Sequence, residues 1–482
     1  MVNSTHPQYI DNLTKWKRSR TVLGGEDFVK AAGEIYLPKL TEQEQSEYDA
    51  YKMRAMFFNA TGRTVDSFVG MVFRKPSAET VPDKLQPFLQ DATLSGQSWE
   101  DYEKAILREV IGIGRIGSLV EWSDEEKRPF VCRYEAEQIL NWKQTRFNGK
   151  TVLSLVVLEE CVSAEEAQKL LAEGVEAPQI QKPKDEFEHA KVKQIRVLKL
   201  EPLENIQVYK TEIWQASNSD KETFKLIKSD YPLRKGKKME FIPFVFHGPN
   251  NVCPDVDRSP VEDIVSVNLS HYRSSADLEH GRHFTGLPTA YAAGFDPKNK
   301  YKIGSGVAWV SNEPQARAAY LEFSGQGLQS LEKALEQKER LMAVLGARML
   351  EQEKRGVETE AVLAMKQTGE QASLSQIAQT CSEAFEMVLR FAYWWEGAAD
   401  AELDSESEVI SVELNRDFNP TSMPPQLITA IVAAVQAGLL SEDSAVTAFK
   451  RGELVSELRN VAEEMDLIRT QSPKLNGDAK AL

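Results

Sequence analysis

GLQSLEKALEQKERLMAVLG (residues 327–346), ARMLEQEKRGVETEA (347–361) and VLAMKQTGEQASLSQIAQTCSEAFEMVLRFAYWWEG (362–397) follow one another without interruption. The first piece sets Leu328, Leu331, Leu335, Met342, Leu345 and Met349 at helical intervals, with Glu and Lys between them. The last repeats the device with Leu374, Ile377, Ala378, Cys381, Phe385, Val388, Leu389 and Ala392. Three-and-four spacing of this kind marks a helix that buries one stripe. Residues 351–360 are almost wholly polar and contain Gly356, so two helices meet at a hydrophilic loop. Taken from about residue 357 to 397, the second helix would reach roughly 60 Å at about 1.5 Å per residue. That is roughly three times an ordinary globular helix, and Gly369 and the Ser373/Ser375 neighbourhood are where it could bend. It reads either as a long core helix of a large α+β protein or as the spine of an elongated subunit packed beside copies of itself.

The chain has 482 residues, a length that suits about three domains. Its 41% hydrophobic content supplies a core and its 27% charged residues supply a soluble surface. No apolar run approaches the roughly 20 residues that cross a bilayer. The polar opening MVNSTHPQYIDNLTKWKRSR has no h-region, so secretion is not expected. Cys132, Cys161, Cys253 and Cys381 are far apart and form no CxxC pair; they read as reduced, mostly packed thiols of an intracellular product. The net charge of −15 argues against a broad, strong grip on nucleic acid, because such binding neutralises phosphates with Lys and Arg. It is compatible with DNA that slides past, since an acidic wall repels the backbone.

Along the chain, EQEQSEYDAYKMRAMFFN (42–59) reads as a helix with Tyr48, Tyr51, Ala55 and Phe58 on one side, and Thr41 and Glu44 have capping-box spacing. Helical pieces follow at 64–72, 82–89 and 99–111. Residues 118–122, 130–132, 151–158, 192–198, 206–214 and 241–247 are β-branched or apolar strands, with Asn148-Gly149 as a tight turn, and predict a mixed, mostly antiparallel sheet domain. Ser259-Pro260-Val261-Glu262 has the form of a capping box with Pro at the first helical position. The helix it opens leads into β-rich pieces between 285 and 323, which look like a tip on an antiparallel helical pair. A strand at 408–414 and helices between 424 and 468, with Ser441 as a cap after Gly438, complete the pattern.

Several motifs invite chemistry and carry little of it. GIGRIG (112–117) matches G-x-G-x-x-G, yet a helix precedes it and a strand follows, the reverse of the order that brings a pyrophosphate to a helix N-terminus. Lys221, Lys225, Lys228, Arg234, Lys235, Lys237 and Lys238 read as a solvated strand and loop rather than a DNA patch, given the acidic total. His271, His280 and His283 share one helix, but no carboxylate or cysteine signature completes a metal site, so they read as surface histidines. There is no Walker A motif, nucleophile elbow or HExxH, which points away from a motor or hydrolase. No catalytic, cofactor or metal site is expected.

The order of parts resembles the portal proteins of tailed bacteriophages: helices, a β domain, a capped helix opening DRSPVEDI, a β tip, a returning helix, a polar loop, a very long helix, a strand, and the pair around AGLLSEDSAVTAFKRGEL. The N-terminal motifs HPQY, W-x-x-x-R, YLPKL and YKMRAMFFNATGRTVDSFVGMVFRKP are similar to one portal subgroup first catalogued as a domain of unknown function. The resemblance implies an α+β, elongated subunit. Its wing would be 1–258, helical and then β, with a strand return at 399–419. The stem helices would be 259–284 and 326–346, capped by Ser259, Pro260 and Glu262, and the clip 285–325. A tunnel loop at 347–358 would bring Arg348, Lys354 and Arg355 to the DNA channel. The spine helix, 359–398, would bury Leu374, Ile377, Cys381, Phe385, Val388 and Leu389 beneath a helical crown at 420–470, with a flexible tail at 471–482. It implies a dodecameric ring at one capsid vertex, assembled in the host cytoplasm, through which double-stranded DNA is packaged and ejected. Terminase and capsid, scaffold and head-completion or tail proteins would be its partners, with no cofactor and no membrane. Two other readings stay open: a nucleotide-dependent enzyme built on GIGRIG, and a non-portal ring or adaptor of a virion.

Overall fold

The computed structural model describes residues 1–170, 191–203, 206–217, 220–286, 289–296, 301, 308–321, 326–347, 373–398, 409–416, 418, 425–437, 439–451, 467 and 470. They divide into two units, Met1–Arg416 and Asp417–Leu482. The fold is α+β.

The first unit opens with helices. In α1 (Pro7–Gly24) the proline occupies a first-turn position whose N–H would go unpaired anyway, and His6 Nδ1 accepts from Gln8 N at 3.2 Å. After α2 (Glu26–Ala31) come α3 (Gln45–Arg54) and α4 (Ala60–Val72), where the sequence suggests one helix over 42–59. The break has a local cause. Ala55 is extended (ψ 134°), and the Asn59 side chain caps α4 by accepting from Gly62 N at 2.9 Å, a bond that competes with helix continuation. Leaving the helix lets Phe57 bury itself edge-on against Tyr272 at 5.9 Å, while Phe58 stays partly exposed. The capping box of α3 is Glu44 with Glu47, one turn later than the Thr41–Glu44 spacing suggested.

Next are β1 (Ala78–Thr80), α5 (Gln86–Gln90) and α6 (Trp99–Gly112), whose N-cap Ser98 accepts from Asp101 N at 3.2 Å. Two sheets follow. In the first, β2 (Ile116–Ser123) lies between β3 (Arg128–Glu135) and β11 (Phe244–His247), so its residues from Ile116 to Val120 are all buried. In the second, β4 (Ile139–Phe147), β5 (Lys150–Ser163), β6 (Lys191–Leu203), β7 (Ile206–Ser217) and β8 (Asp220–Asp230) pair in sequence order. Asn148 (φ 49°) and Gly149 (φ 80°) join β4 to β5 in the left-handed conformations that a two-residue primed turn requires. The short α7 (Ala164–Lys169) sets Ala164 and Ala167 against Val192, and a small hairpin of β9 (Leu233–Arg234) and β10 (Lys237–Lys238) precedes β11. Every described pairing is antiparallel, so the sheets are not mixed.

The remaining parts of this unit are α8 (Glu262–Gly286), the antiparallel hairpin β12 (Thr289–Ala293) and β13 (Arg317–Leu321), α9 (Gln326–Ala347), α10 (Ser373–Trp395) and β14 (Ser411–Glu413). β14 pairs with β1, Ala78 opposite Glu413. The core sits around α10, which packs on β2, β3, β11, β14 and α6. In the second unit, α11 (Pro425–Gln436) and α12 (Glu442–Arg451) form a helical pair, and Ser441 Oγ caps α12 by accepting from Ser444 N at 3.2 Å.

Candidate assembly site around the paired helices

The start of α8 is fixed by two turns of chain that the sequence left unconnected. Ser259 Oγ donates toward the Gly112 and Ile111 carbonyls (2.9 and 3.3 Å) and accepts from Val261 N at 3.3 Å. Glu262 does not reach back to Ser259. Its carboxylate takes Arg18 Nη2 at 2.9 Å and Arg258 Nε at 2.8 Å, so the expected capping box is replaced by ion pairs to α1 and to the preceding turn. An arginine within reach outbids a backbone amide, since a charge-assisted bond is roughly twice as strong as a neutral one. Pro260 stands between the cap serine and the helix.

The glycines of GIGRIG serve this junction. A Cβ on Gly114, whose φ is +92°, would lie 2.9 Å from Ser259 N, and one on Gly117 would lie 2.2 Å from Phe244 Cζ. A Cβ on Gly112 would meet a Leu23 methyl at 2.6 Å. Helix α6 precedes the motif and β2 follows it, and the space a phosphate would need is filled by protein. Arg115, the motif's cation, is also committed. It is 2% exposed, lies over Trp142 (4.1 Å) and Phe246 (4.6 Å), and donates to the Pro254 carbonyl at 2.6 Å. Burial lowers its pKa to about 9.

From that anchored start α8 runs out to the β12–β13 hairpin and α9 returns beside it. Polar contacts join the pair: His271 Nε2 with Glu339 Oε1 (3.2 Å), Lys338 Nζ to the Ser270 carbonyl (3.1 Å) and Ser274 Oγ (2.5 Å), and Arg282 to Glu332 (2.8 Å). Close backbone approach comes at Gly281, where a Cβ would stand 2.5 Å from Leu328 Cδ2. On the other side of α8, Tyr51 donates to Asp277 at 2.6 Å and Arg54 meets His283 at 3.2 Å, so α3 and α9 flank it. His280 meets the Tyr51 ring edge-on at 5.1 Å, so the three histidines are partners in helix packing, and His271 is 3% exposed rather than on the surface. Among the described residues no group of three or more His, Cys, Asp and Glu could hold a metal. The thiols are free: Cys381 is buried, whereas Cys161 and Cys253 are exposed and not packed.

Beyond the hairpin strands, Phe295, Tyr301 and Trp309 cluster with ring centroids 5.4 to 6.3 Å apart, and Ser311 donates to the Gly294 carbonyl at 2.7 Å. The outward side of α9 leaves Leu341 45% and Val344 44% exposed.

The α10 stripe is enclosed: Leu374, Phe385, Val388 and Leu389 are 0% exposed, Cys381 1% and Ile377 4%. Burial pushes the Cys381 thiol up to about 12. Polar side chains of the same helix hold β14: Ser382 Oγ accepts from Leu414 N (3.0 Å), Glu386 from Val412 N (3.1 Å), and Arg390 donates to the Ile410 carbonyl (3.1 Å). Its C-terminal end is closed by Arg234, which lies on Trp394 at 3.9 Å and donates to the Trp394 and Ala398 carbonyls. That member of the basic run thus has a structural task.

One contact looks catalytic and is not placed to act. Ser118 Oγ is 2.6 Å from His247 Nε2 and 2.6 Å from the Tyr102 hydroxyl, but Ser118 and Tyr102 are 0% exposed and His247 1%. Burial alone lowers the His247 pKa to about 3, so it stays neutral. The three residues tie α6, β2 and β11 together. Arg348, Lys354 and Arg355, like residues 359–372 of the expected spine, lie outside the described residues.

Residues 260–396, from α8 through α10, match the family model described as Domain of unknown function (DUF4055). No curated protein matches significantly. Three chains in solved particles are similar at low identity. One, in the neck of an empty GTA particle computed with C6 symmetry, shares 11% identity over 82% of this chain and 90% of that chain, with a TM-score of 0.38. Another, in the virion of a native gene transfer agent (GTA) particle, shares 12% over 86% and 96%, TM-score 0.37. A third, in the neck of a native GTA particle computed with C12 symmetry, shares 10% over 81% and 89%, TM-score 0.35. Likeness at that level fixes neither fold nor function by itself.

Proposed function

We propose that the chain is a phage portal protein: one subunit of a ring at a capsid vertex through which double-stranded DNA is packaged and ejected. The observation that supports this reading is the outgoing α8, the β12–β13 tip and the returning α9, with the enclosed α10 as the next described helix, all inside the segment matched by the domain family. In that reading α8 and α9 are the stem, the hairpin is the clip that faces terminase and later the head-completion or tail proteins, residues 347–358 are the tunnel loop, and 420–470 the crown. A helix pair with an outward side bearing Leu341 and Val344 suits a ring, where head-to-tail contacts close without a self-complementary patch. The role is structural, with the ATPase supplied by a partner.

Native mass spectrometry and electron microscopy of the full chain test this. A large closed ring, dodecameric in the virion, is the expected result; a chain that stays monomeric at high concentration in several buffers contradicts it. A non-portal ring or adaptor of a virion would also form a ring, but would not engage terminase. The nucleotide-enzyme reading predicts NAD(P) binding by calorimetry, and the filled space around Gly112, Gly114 and Gly117 weighs against it.

A further inference from the structure

Beneath β1, three oxygens stand in a row that cannot be completed without an added hydrogen. Ser77 Oγ is 2.8 Å from Glu79 Oε1 and 2.8 Å from Glu103 Oε2. A serine hydroxyl has one hydrogen to give. It satisfies one carboxylate; the second contact then needs a hydrogen from the other side, and an ionised carboxylate has none. With both glutamates ionised, lone pairs would face each other at hydrogen-bond distance. One proton resolves the row: a Glu103 carboxylic acid donates to Ser77 Oγ, and Ser77 donates to the Glu79 carboxylate.

The surroundings say where that proton resides. Glu103 is 0% exposed and its Oε1 meets no well-aligned hydrogen-bond donor; the Trp99 indole N–H is its nearby donor and offsets burial only in part, whereas Glu79 is half-buried. An isolated buried carboxylate is far costlier than a buried acid. The charges nearby do not compensate it. Glu100, on the same helix, adds negative charge, and Lys104 is turned to Glu100 at 2.6 Å and to the face of Phe73. Helix α10 contributes the Cys381 thiol, and on β14 the exposed Glu413 is paired with Arg416 at 2.7 Å. Burial, and next the Glu79 charge, raise the Glu103 pKa well above the usual carboxylate range, and burial raises that of Glu79.

We propose that Glu103, Ser77 and Glu79 form a proton-binding site: the folded chain takes up one proton here at neutral pH, and that proton fastens β1 to α6. Because β1 is the strand that β14 pairs with, the site governs how firmly the final strand of the first unit is held. The proton is bound in the folded chain and not in the unfolded one, so the hold weakens as pH rises.

Two measurements on the full chain test it. Infrared spectroscopy at about pH 7 should show a protonated-carboxyl band that Glu103→Gln removes; a spectrum unchanged by the substitution overturns the proposal. Hydrogen exchange of residues 78–80 and 411–413, corrected for intrinsic rates, should show opening that climbs by up to about tenfold per pH unit while the folded chain keeps a proton the open state has lost, and that levels off once the proton leaves. In Glu103→Gln, whose amide supplies the missing hydrogen permanently, opening should be flat with pH. The same climb in both chains overturns it. Glu79→Gln, at a more exposed position, gives a second readout independent of core packing: with the neighbouring charge gone Glu103 gives up its proton at lower pH, so the climb should level off at lower pH, and an unmoved curve counts against the site.

Discussion

Phe385 of α10 meets Trp99 of α6 edge to face at 5.6 Å, and Trp99 stacks on Tyr102 at 5.4 Å. The two residues come from distant parts of the chain, and both are enclosed, at 0 and 1% exposure. Removing the ring leaves a cavity that rigid neighbours cannot fill. Phe385→Ala should therefore cost about 3–5 kcal/mol in urea unfolding. Phe385→Asp or Ile377→Asp, which bury an unpaired charge, should abolish folding or ring assembly; soluble, normally sized rings from either would refute the role given to this stripe.

Arg234 lies on Trp394 and closes the last carbonyls of α10. Lysine keeps the charge but loses the planar fork and the stacking. Arg234→Lys should lower stability by about 1–3 kcal/mol, with hydrogen exchange rising first at residues 393–398. Equal melting temperatures would show that the cap is dispensable.

The packing of Gly117 separates a structural turn from a nucleotide loop. Phe244, 4% exposed, packs against the rings of Phe246 (4.9 Å) and Tyr134 (6.2 Å), and its Cζ would lie 2.2 Å from a Cβ on Gly117. Gly117→Ala should cost about 1–3 kcal/mol through overpacking, and calorimetry should find no NAD(P) binding in either chain. A variant of unchanged stability that lost nucleotide affinity would reverse the assignment.

His247 gives a pH dependence of definite sign. Its folded pKa, about 3, is below the unfolded value near 6.5. Between these values the unfolded chain binds the extra proton, so stability falls as pH drops through that window, by up to about 1.4 kcal/mol per pH unit. His247→Gln should flatten the acid limb of the stability curve while lowering its plateau. An acid limb identical to the wild type's would remove His247 as its source.

If residues 347–358 form the tunnel loop, replacing Arg348, Lys354 and Arg355 together with Ala should leave ring assembly intact and change DNA packaging or retention. Unchanged packaging would mean that these cations do not touch the passing duplex.

Much of this architecture can be read from periodicity. The apolar stripe of α10 announces its burial, Ser441 announces a helix start, and Asn148-Gly149 announces a hairpin. Elements decided by tertiary contact are less visible. β1 has only three residues, with no alternation long enough to register, and exists because β14 returns to it. The end of α3 depended on Asn59 acting as a cap and Phe57 finding Tyr272. Arg234 looked like one more member of a basic run because its partners lie on α10. Glu103 did carry a signal: Trp99, Tyr102, Glu103, Ile106 and Val110 share one face, and an acid inside an apolar stripe marks either a pairing partner or a retained proton.

The pairing of Ala78 with Glu413 sets a timetable for synthesis. The β4–β8 ladder joins neighbours in sequence and can assemble while the ribosome is still at work, whereas β1 must wait for almost the whole of its unit to emerge. Long-range closure of this kind is slow and comes late. A nascent chain that stalls before residue 411 would hold a finished ladder and an open seam, a substrate for chaperones rather than a subunit ready to assemble.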